Sequence, residues 1–374
     1  MAENEVLVEG QQVEEATTMD VTDKKCPNCG ATVTYDPNTL SMTCEYCGYH
    51  KELPKPEAGK EIEEIDFASA KIRQNQNWGT KKKSIVCKMC GAETLYDEAE
   101  TASVCPYCGS TSVMPVDDDE NVMAPGGVVP FEVDREKAAK LFRTWLSKKF
   151  FAKKDAKNCE ANDFNGIYLP YWTYDSDTTS SYNAQLGFDY KVQQRGSDGK
   201  MHTVTKTRWR NYTGIYEEFI DDQVVYASKK TTNPYIESVS QFDFSKLREY
   251  SPEFIAGFAA ERYTLGLDDG WNKAKVFIKQ TLTSHLSSKL RNQYKADKVG
   301  TINLSTSYDN VTFKYILAPV WIASFRYGND VYNFVVNGQT GKIAGKYPIS
   351  KLKVFLTILA IVAVIALLIF LSNM

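Results

Sequence analysis

Four Cys-x-x-Cys-Gly knuckles, arranged as two matching units, constrain this chain more than any other feature. The first unit is Cys26-Pro27-Asn28-Cys29-Gly30 with Cys44-Glu45-Tyr46-Cys47-Gly48, and the second is Cys87-Lys88-Met89-Cys90-Gly91 with Cys105-Pro106-Tyr107-Cys108-Gly109. Fourteen residues separate the pairs in each unit, and the units repeat at an offset of 61. Tyr35-Asp36 recurs as Tyr96-Asp97, and Tyr46 as Tyr107. Self-similarity at a fixed offset marks an internal duplication.

That spacing suits a metal. Two thiolates two residues apart grip one ion from a tight turn, and two such turns complete a tetrahedron with bonds of about 2.3 Å. The glycine after each second cysteine supplies the left-handed conformation the turn needs. Four thiolates fill the coordination sphere, which points to a structural ion; catalytic zinc keeps a position open. A redox pair or an iron–sulfur cluster are rival chemistries, but four glycine-followed pairs with a matched insert favour zinc. The sequence therefore predicts two β zinc ribbons, one Zn2+ held by Cys26, Cys29, Cys44 and Cys47 and one by Cys87, Cys90, Cys105 and Cys108. Each ribbon is too small to bury much core, so the metal should supply its folding energy. His50 reads as a surface residue rather than a fifth ligand.

The C-terminal segment speaks to location. Val354–Leu371 is eighteen residues with no charge and one hydroxyl, Thr357. As a helix it spans roughly 27 Å, close to the thickness of a bilayer's hydrocarbon core. A buried helix of a soluble domain would show a polar stripe; this segment is apolar all round. A transmembrane helix over 352–372 is expected, contacting lipid through 354–371. Lys346, Lys351 and Lys353 precede it and no basic residue follows. The positive-inside rule then predicts a single-pass tail anchor in the cell membrane, the bulk of the chain facing the cytoplasm. The first residues lack the basic and apolar regions of a secretory signal. Eight of nine cysteines in pairs suit a reducing compartment.

Composition shifts divide the rest. Residues 1–23 carry seven acids and no Lys or Arg, the composition of a disordered tail. The first ribbon is expected over 24–53 and the second over 84–116. Ile62, Ile65, Ala68 or Ser69, and Ile72 at helical spacing predict a helical linker within 54–83. Asp117-Asp118-Asp119-Glu120 and Pro125-Gly126-Gly127 mark a linker over 117–129. An α+β domain is expected over 130–349. Its first helix runs from an Asp134 cap to Lys149, with Leu141, Phe142 and Trp145 on one side and lysines on the other. The lysine face is a solvated surface or one that leans on anionic lipid near the anchor. Strand-rich segments follow at 167–172, 180–192, 201–212 and 224–227, then helices from Pro252 to Thr264 and from Trp271 to Tyr294, then strands at 301–307, 310–315, 320–327 and 331–337. Leu169-Pro170-Tyr171-Trp172 resembles Leu317-Ala318-Pro319-Val320-Trp321, which suggests two helix-plus-sheet repeats.

Charge and motifs narrow the function. Formal net charge is −3, and acids offset the lysines around both cysteine units, so nucleic acid is disfavoured as a partner. No phosphate-binding loop, Gly-x-Ser-x-Gly elbow or His-Glu-x-x-His motif occurs, and the three histidines (His50, His202, His285) form no recognisable constellation. Cys159 reads as a small buried residue. These features predict a non-enzymatic, membrane-tethered adaptor that recruits proteins. A membrane-attached nucleic-acid binder is the alternative.

The paired ribbons, Val129-Pro130-Phe131-Glu132-Val133-Asp134, Phe150-Phe151-Ala152, Leu169-Pro170-Tyr171-Trp172 and Val336-Asn337-Gly338-Gln339-Thr340-Gly341-Lys342 resemble bacterial TFIIB-type zinc-ribbon membrane proteins, a family often labelled as similar to the primosomal protein N-prime. The likeness covers nearly the whole chain. A replication helicase needs phosphate-binding and motor motifs that this chain lacks. The resemblance implies instead a role beside phage-shock-type and SPFH-domain proteins in envelope stress, with soluble partners brought to the membrane.

Overall fold

The computed structural model describes residues 25–53, 62, 64–69, 82–88, 93–97, 105, 107, 110, 113–116, 123–158, 161–196, 199–229, 233–328 and 330–372. The expected acidic tail, most of the linker over 54–83, and Cys90, Cys108 and Cys159 lie outside the described residues.

The first cysteine unit forms an antiparallel sheet of β1 (Thr34–Asp36), β2 (Ser41–Thr43) and β3 (His50–Glu52). The β1–β2 turn opens at Asp36-Pro37-Asn38. The Asp36 carboxylate accepts from the Asn38 N–H at 2.9 Å and the Thr39 hydroxyl at 3.1 Å, an Asx turn. The unit is joined to the main core. Cys26, Val33, Tyr35, Met42 and Cys44 belong to the same buried cluster as Phe131, Phe142 and Trp172. The Tyr35 hydroxyl donates to the Phe131 carbonyl at 3.2 Å, and its ring lies 5.7 Å from that of Phe254.

The linker shows a first correction. Ile65–Asp66 is a strand, β4, paired antiparallel with Phe313 and Thr312, and not part of a helix. The apolar spacing that suggests a helix is also met by an extended segment whose Ile65 and Phe67 reach the core. Phe67 packs against Tyr174, Trp271 and Phe313. The second unit contributes β5 (Lys82–Cys87), β6 (Glu93–Asp97) and β7 (Val113–Val116), with β5 between the other two.

The remaining elements are β8 (Gly127–Val128), α1 (Arg135–Ser147), β9 (Asn162–Arg195), β10 (Met201–Tyr226), α2 (Ile236–Val239), β11 (Arg248–Glu249), β12 (Ala259–Ala260), α3 (Leu267–Tyr294), β13 (Lys298–Tyr327), β14 (Asp330–Asn337), β15 (Ile343–Gly345) and α4 (Lys351–Ser372). The strand segments expected at 301–307, 310–315 and 320–327 are one strand of 30 residues, and those at 167–172 and 180–192 lie in one of 34. Bulges bend β13 at Asp309/Thr312 and β10 at Ile220/Gln223 without ending either strand. A helix over Pro252–Thr264 does not form. Pro252–Ile255 makes a single 3-10 turn and Ala259–Ala260 is a strand.

Two βαββ halves emerge, and they exchange their first strands. Their β8/β12 starts and their α1/α3 starts are both 132 residues apart. Strand β8 of the first half pairs parallel with β13 of the second, Val128 opposite Leu317, and β12 pairs parallel with β9, Ala260 opposite Tyr168. The Trp321 indole donates to the Val133 carbonyl at 2.8 Å, and the Trp172 indole to the Leu265 carbonyl at 2.9 Å. Each accepting carbonyl sits two residues before a helix. The Gly338 N–H donates to the Pro319 carbonyl at 2.8 Å as the Ala227 N–H does to that of Pro170 at 2.9 Å. Both prolines lie inside long strands where the neighbour on one side changes, from β12 to β10 at Pro170 and from β8 to β14 at Pro319, so the ladder N–H they lack is not needed there.

Both helices bury residues at intervals of four. They are Ala138, Phe142 and Leu146 in α1, and Gly270, Ala274, Ile278, Leu282, Leu286 and Leu290 in α3. A four-residue repeat exceeds the helical 3.6, so the contact line winds round the helix and follows a strongly twisted sheet. Gly270 allows α3 a close approach: a Cβ there would run into the Tyr174 hydroxyl and lie 2.8 Å from the Trp172 ring. Asp134 caps α1 as expected, accepting from the Lys137 N–H at 2.7 Å. The centre of the sheet is buried on both faces, by Tyr168 and Trp172 on one and Ile167, Leu169 and Tyr171 on the other.

Tyr107, in the second unit, reaches the domain through Glu261. This buried carboxylate accepts from the Tyr107 hydroxyl and, at 3.0 Å, from that of Tyr226. Burial, then the Glu261 charge, hold the Tyr107 phenol protonated well above its ordinary range. Tyr107→Phe is expected to cost about 1–3 kcal/mol, because a buried carboxylate loses a donor. It should also speed hydrogen exchange in residues 93–97 and at Cys105, Tyr107 and Ser110. Unchanged exchange there would show that the hydroxyl does not dock this unit.

Candidate metal centre and edge-strand groove

The knuckles are built by a repeated backbone bond. The Cys26 N–H donates to the Ala31 carbonyl at 2.6 Å, Cys44 to Tyr49 at 2.8 Å and Cys105 to Ser110 at 2.8 Å, each five residues on. The Gly30 N–H returns to the Cys26 carbonyl at 2.8 Å and that of Gly48 to Cys44 at 2.9 Å. These glycines adopt φ of +76° and +73°, the left-handed region that the turn demands.

The folded knuckles bring Cys26, Cys29, Cys44 and Cys47 together, their sulfurs all within 4.8 Å of one another. Cys26 Sγ lies 3.4 Å from Cys47 Sγ, and Cys29 Sγ 3.6 Å from Cys44 Sγ. A tetrahedral ion with bonds of about 2.3 Å has ligand–ligand edges of roughly 3.8 Å, so this group can hold a metal ion. Burial opposes ionisation of Cys26, but the backbone bonds of Cys29 and Asn28 outweigh it and bring that thiol down to about 7. Cys26 and Cys44 are buried while Cys29 and Cys47 face solvent, giving the centre one inner and one outer side. In the second unit Cys87 and Cys105 share a small buried cluster with Tyr107 and Val113, and their partners Cys90 and Cys108 lie outside the described residues. Among the described residues one four-cysteine group is therefore evident.

Two further features escape sequence reasoning. One is a charge cluster where the long strands bulge. Lys314, 8% exposed, lies 3.0 Å from Glu64, 3.1 Å from Asp222 and 3.6 Å from Asp175. Asp175 also accepts from the Asp222 N–H. Burial is the main influence on Asp175 and lifts its carboxyl to about 6. Burial also opposes the charge on Lys314, but Asp222 and Asp175 raise its ammonium well above the lysine range.

The other feature is a groove of about 810 Å³ along β10 residues 218–226. It is closed by α3, through Lys273, Phe277 and His285, and by the loop bearing Phe242 and Phe244. His285 Nδ1 sits 2.7 Å from Glu218. Among the described residues β10 pairs only with β9, so its outer edge faces the groove unpaired. The Asn-Gly-Gln-Thr-Gly segment positions the loop. Asn337 Nδ2 donates to the Val239 and Gln241 carbonyls at 2.7 and 3.0 Å, and Gln339 exchanges two bonds with the Asp243 backbone. The signal for the groove is faint: Phe219, Phe242, Phe244 and Phe277 are scattered in sequence and meet only through the fold.

Helix α4 is long and apolar enough to cross a membrane over Lys351–Leu371, and none of its most apolar window is buried against the rest of the chain.

The chain is similar to a Bacillus subtilis (strain 168) protein described as uncharacterized protein YdjG, 27% identical over 341 residues that cover 88% of this chain and 91% of the relative. No family model matches the chain, and no solved structure matches it.

Proposed function

We propose that this chain is a zinc-bearing scaffold, anchored in the cell membrane by α4 with its bulk on the cytoplasmic side, that recruits protein partners by adding their extended segments to the edge of β10. The unpaired edge beside an aromatic groove carries this reading. A free strand edge offers a row of backbone donors and acceptors, and flanking pockets select alternate side chains of the incoming strand. Asp221 and Glu237 line the groove and are exposed, which favours a strand carrying Lys or Arg.

Zinc fits the all-thiolate donor set, and the second unit, with the same spacing and the same knuckle bond at Cys105, is proposed to hold a second ion. The ions brace ribbons that are docked on the domain through Tyr35 and Tyr107. Lys346 ahead of α4, with Lys351 and Lys353 in its first turn, supports the cytoplasmic orientation. The family resemblance points to phage-shock-type or SPFH-domain clients in envelope stress.

The test is a photo-crosslinking amino acid placed at Phe219 of the full chain, in native membranes, with a matched probe at Lys206 as control. Position 219 should give one protein adduct whose attachment maps to an extended basic segment, and Phe242→Asp should reduce it at least fivefold. Adducts to nucleic acid, or equal labelling from both positions, would remove the adaptor reading.

A further inference from the structure

We propose that the corner formed by the end of α1 and the start of α4 is a second membrane contact, a collar of aromatic residues and lysines that binds anionic lipid headgroups. The inference rests on the reading that α4 spans the bilayer.

The corner is fastened to the base of that helix. The Lys353 ammonium donates to the Phe150 carbonyl at 3.0 Å and to that of Ala152 at 2.8 Å. The Ser350 N–H donates to the Phe151 carbonyl at 2.8 Å, the Lys153 N–H to that of Pro348 at 3.1 Å, and Ala152 bridges to Ile349. Residues 150–153 therefore sit level with the first turn of α4. A bilayer that takes in α4 must come up against them.

The side chains suit that position. Phe150 is 67% exposed, Ile349 52% and Leu352 68%, an apolar rim continuous with the lipid-facing surface of α4. Behind it stand paired aromatics and lysines: Lys149 over the Trp145 and Tyr347 rings at 4.9 and 5.6 Å, and Lys153 over Tyr327 at 5.0 Å. Aromatic rings with lysines at one level are the composition of a membrane–water interface. Residues 147–157 and 346–353 together hold eight lysines and one acid, Asp155, in a chain whose net charge is −3. This concentration of positive charge at the level of the headgroups selects anionic lipid, within a Debye length of about 8 Å at physiological salt.

The full chain would be placed in nanodiscs of phosphatidylcholine alone or with added phosphatidylglycerol, and hydrogen exchange followed in residues 147–157. Exchange should slow at least threefold on adding the anionic lipid. Lys148→Gln, Lys149→Gln, Lys153→Gln and Lys154→Gln together should abolish that increment, and 0.5 M salt should shrink it. Phe150→Ser should raise exchange in both lipids. Rates indifferent to lipid charge and to the glutamine variant would overturn the collar. Alkaline carbonate extraction separates the two readings: a chain stripped from membranes fails the spanning reading, whereas a retained chain whose exchange does not respond fails the collar alone.

Discussion

Replacing Cys44 by Ser is expected to release one equivalent of zinc and to unfold residues 25–53. Structural zinc contributes about 10–16 kcal/mol in small ribbons, comparable to the whole stability of a typical domain at about 5–15 kcal/mol. The three short strands of the ribbon cannot replace that. The damage should spread, because Cys44 shares its core with Tyr35, which packs on Phe254 and donates to Phe131. Metal analysis of the purified full chain and its thermal transition in mild detergent test this together. Cys29→Ser, on the outer side of the centre, should lose the metal and the fold of residues 25–53 as well, without also placing a hydroxyl in the core that Cys44 shares. Full metal content in Cys44→Ser would sink the four-cysteine assignment.

Lys314→Met should destabilise the folded domain by about 3–5 kcal/mol, the cost of leaving the buried Asp175 carboxylate without its cation. The effect should depend on pH in a defined direction. Asp175 titrates near 6 in the folded chain, above its unfolded value of 3.8. The folded state therefore holds that proton more tightly, and the stability it gains is present at low pH and lost as pH rises through about 4 to 6. Without Lys314 the Asp175 carboxyl moves higher still and the loss extends toward neutrality. The variant should thus sit closer to wild type at pH 5 than at pH 8. An equal deficit at both values would mean that packing, not charge, accounts for the role of Lys314.

The two kinds of site differ in how far sequence alone exposes them. The thiolate knuckles are local: a Cys-x-x-Cys-Gly turn contains its own bond from Gly30 to Cys26 and its own left-handed residue, so five letters specify it. Helices α1 and α3 are legible for the same reason, one from the Asp134 cap and both from apolar periodicity. The long strands read as fragments because Asp309-Asn310 looks like a turn. Asn310 does adopt φ of +52°, but the chain bulges there and continues. Ile65 misleads because its partner, Phe313, lies 248 residues away. The Lys314 cluster and the β10 groove have no local signature; each depends on side chains from segments that only the sheet brings together. The Leu-Pro-Tyr-Trp likeness is a trace of the repeated halves, and its meaning lies in the indole bonds to Val133 and Leu265.

The exchanged first strands carry a consequence for how this chain is made. Since β8 at 127–128 waits for 316–317, the amino-terminal half stays open until nearly all of the second half has been synthesised. Contacts of such sequence separation close slowly. Core strand β14 ends at Asn337 and α4 begins at Lys351, so the segment that completes the domain emerges just ahead of the helix proposed to enter lipid. Whatever receives the apolar helix during biogenesis meets a domain still closing. A helix captured early would fasten a half-assembled sheet to the bilayer, with the β10 edge and the unfilled β8 and β12 slots open to the wrong strand.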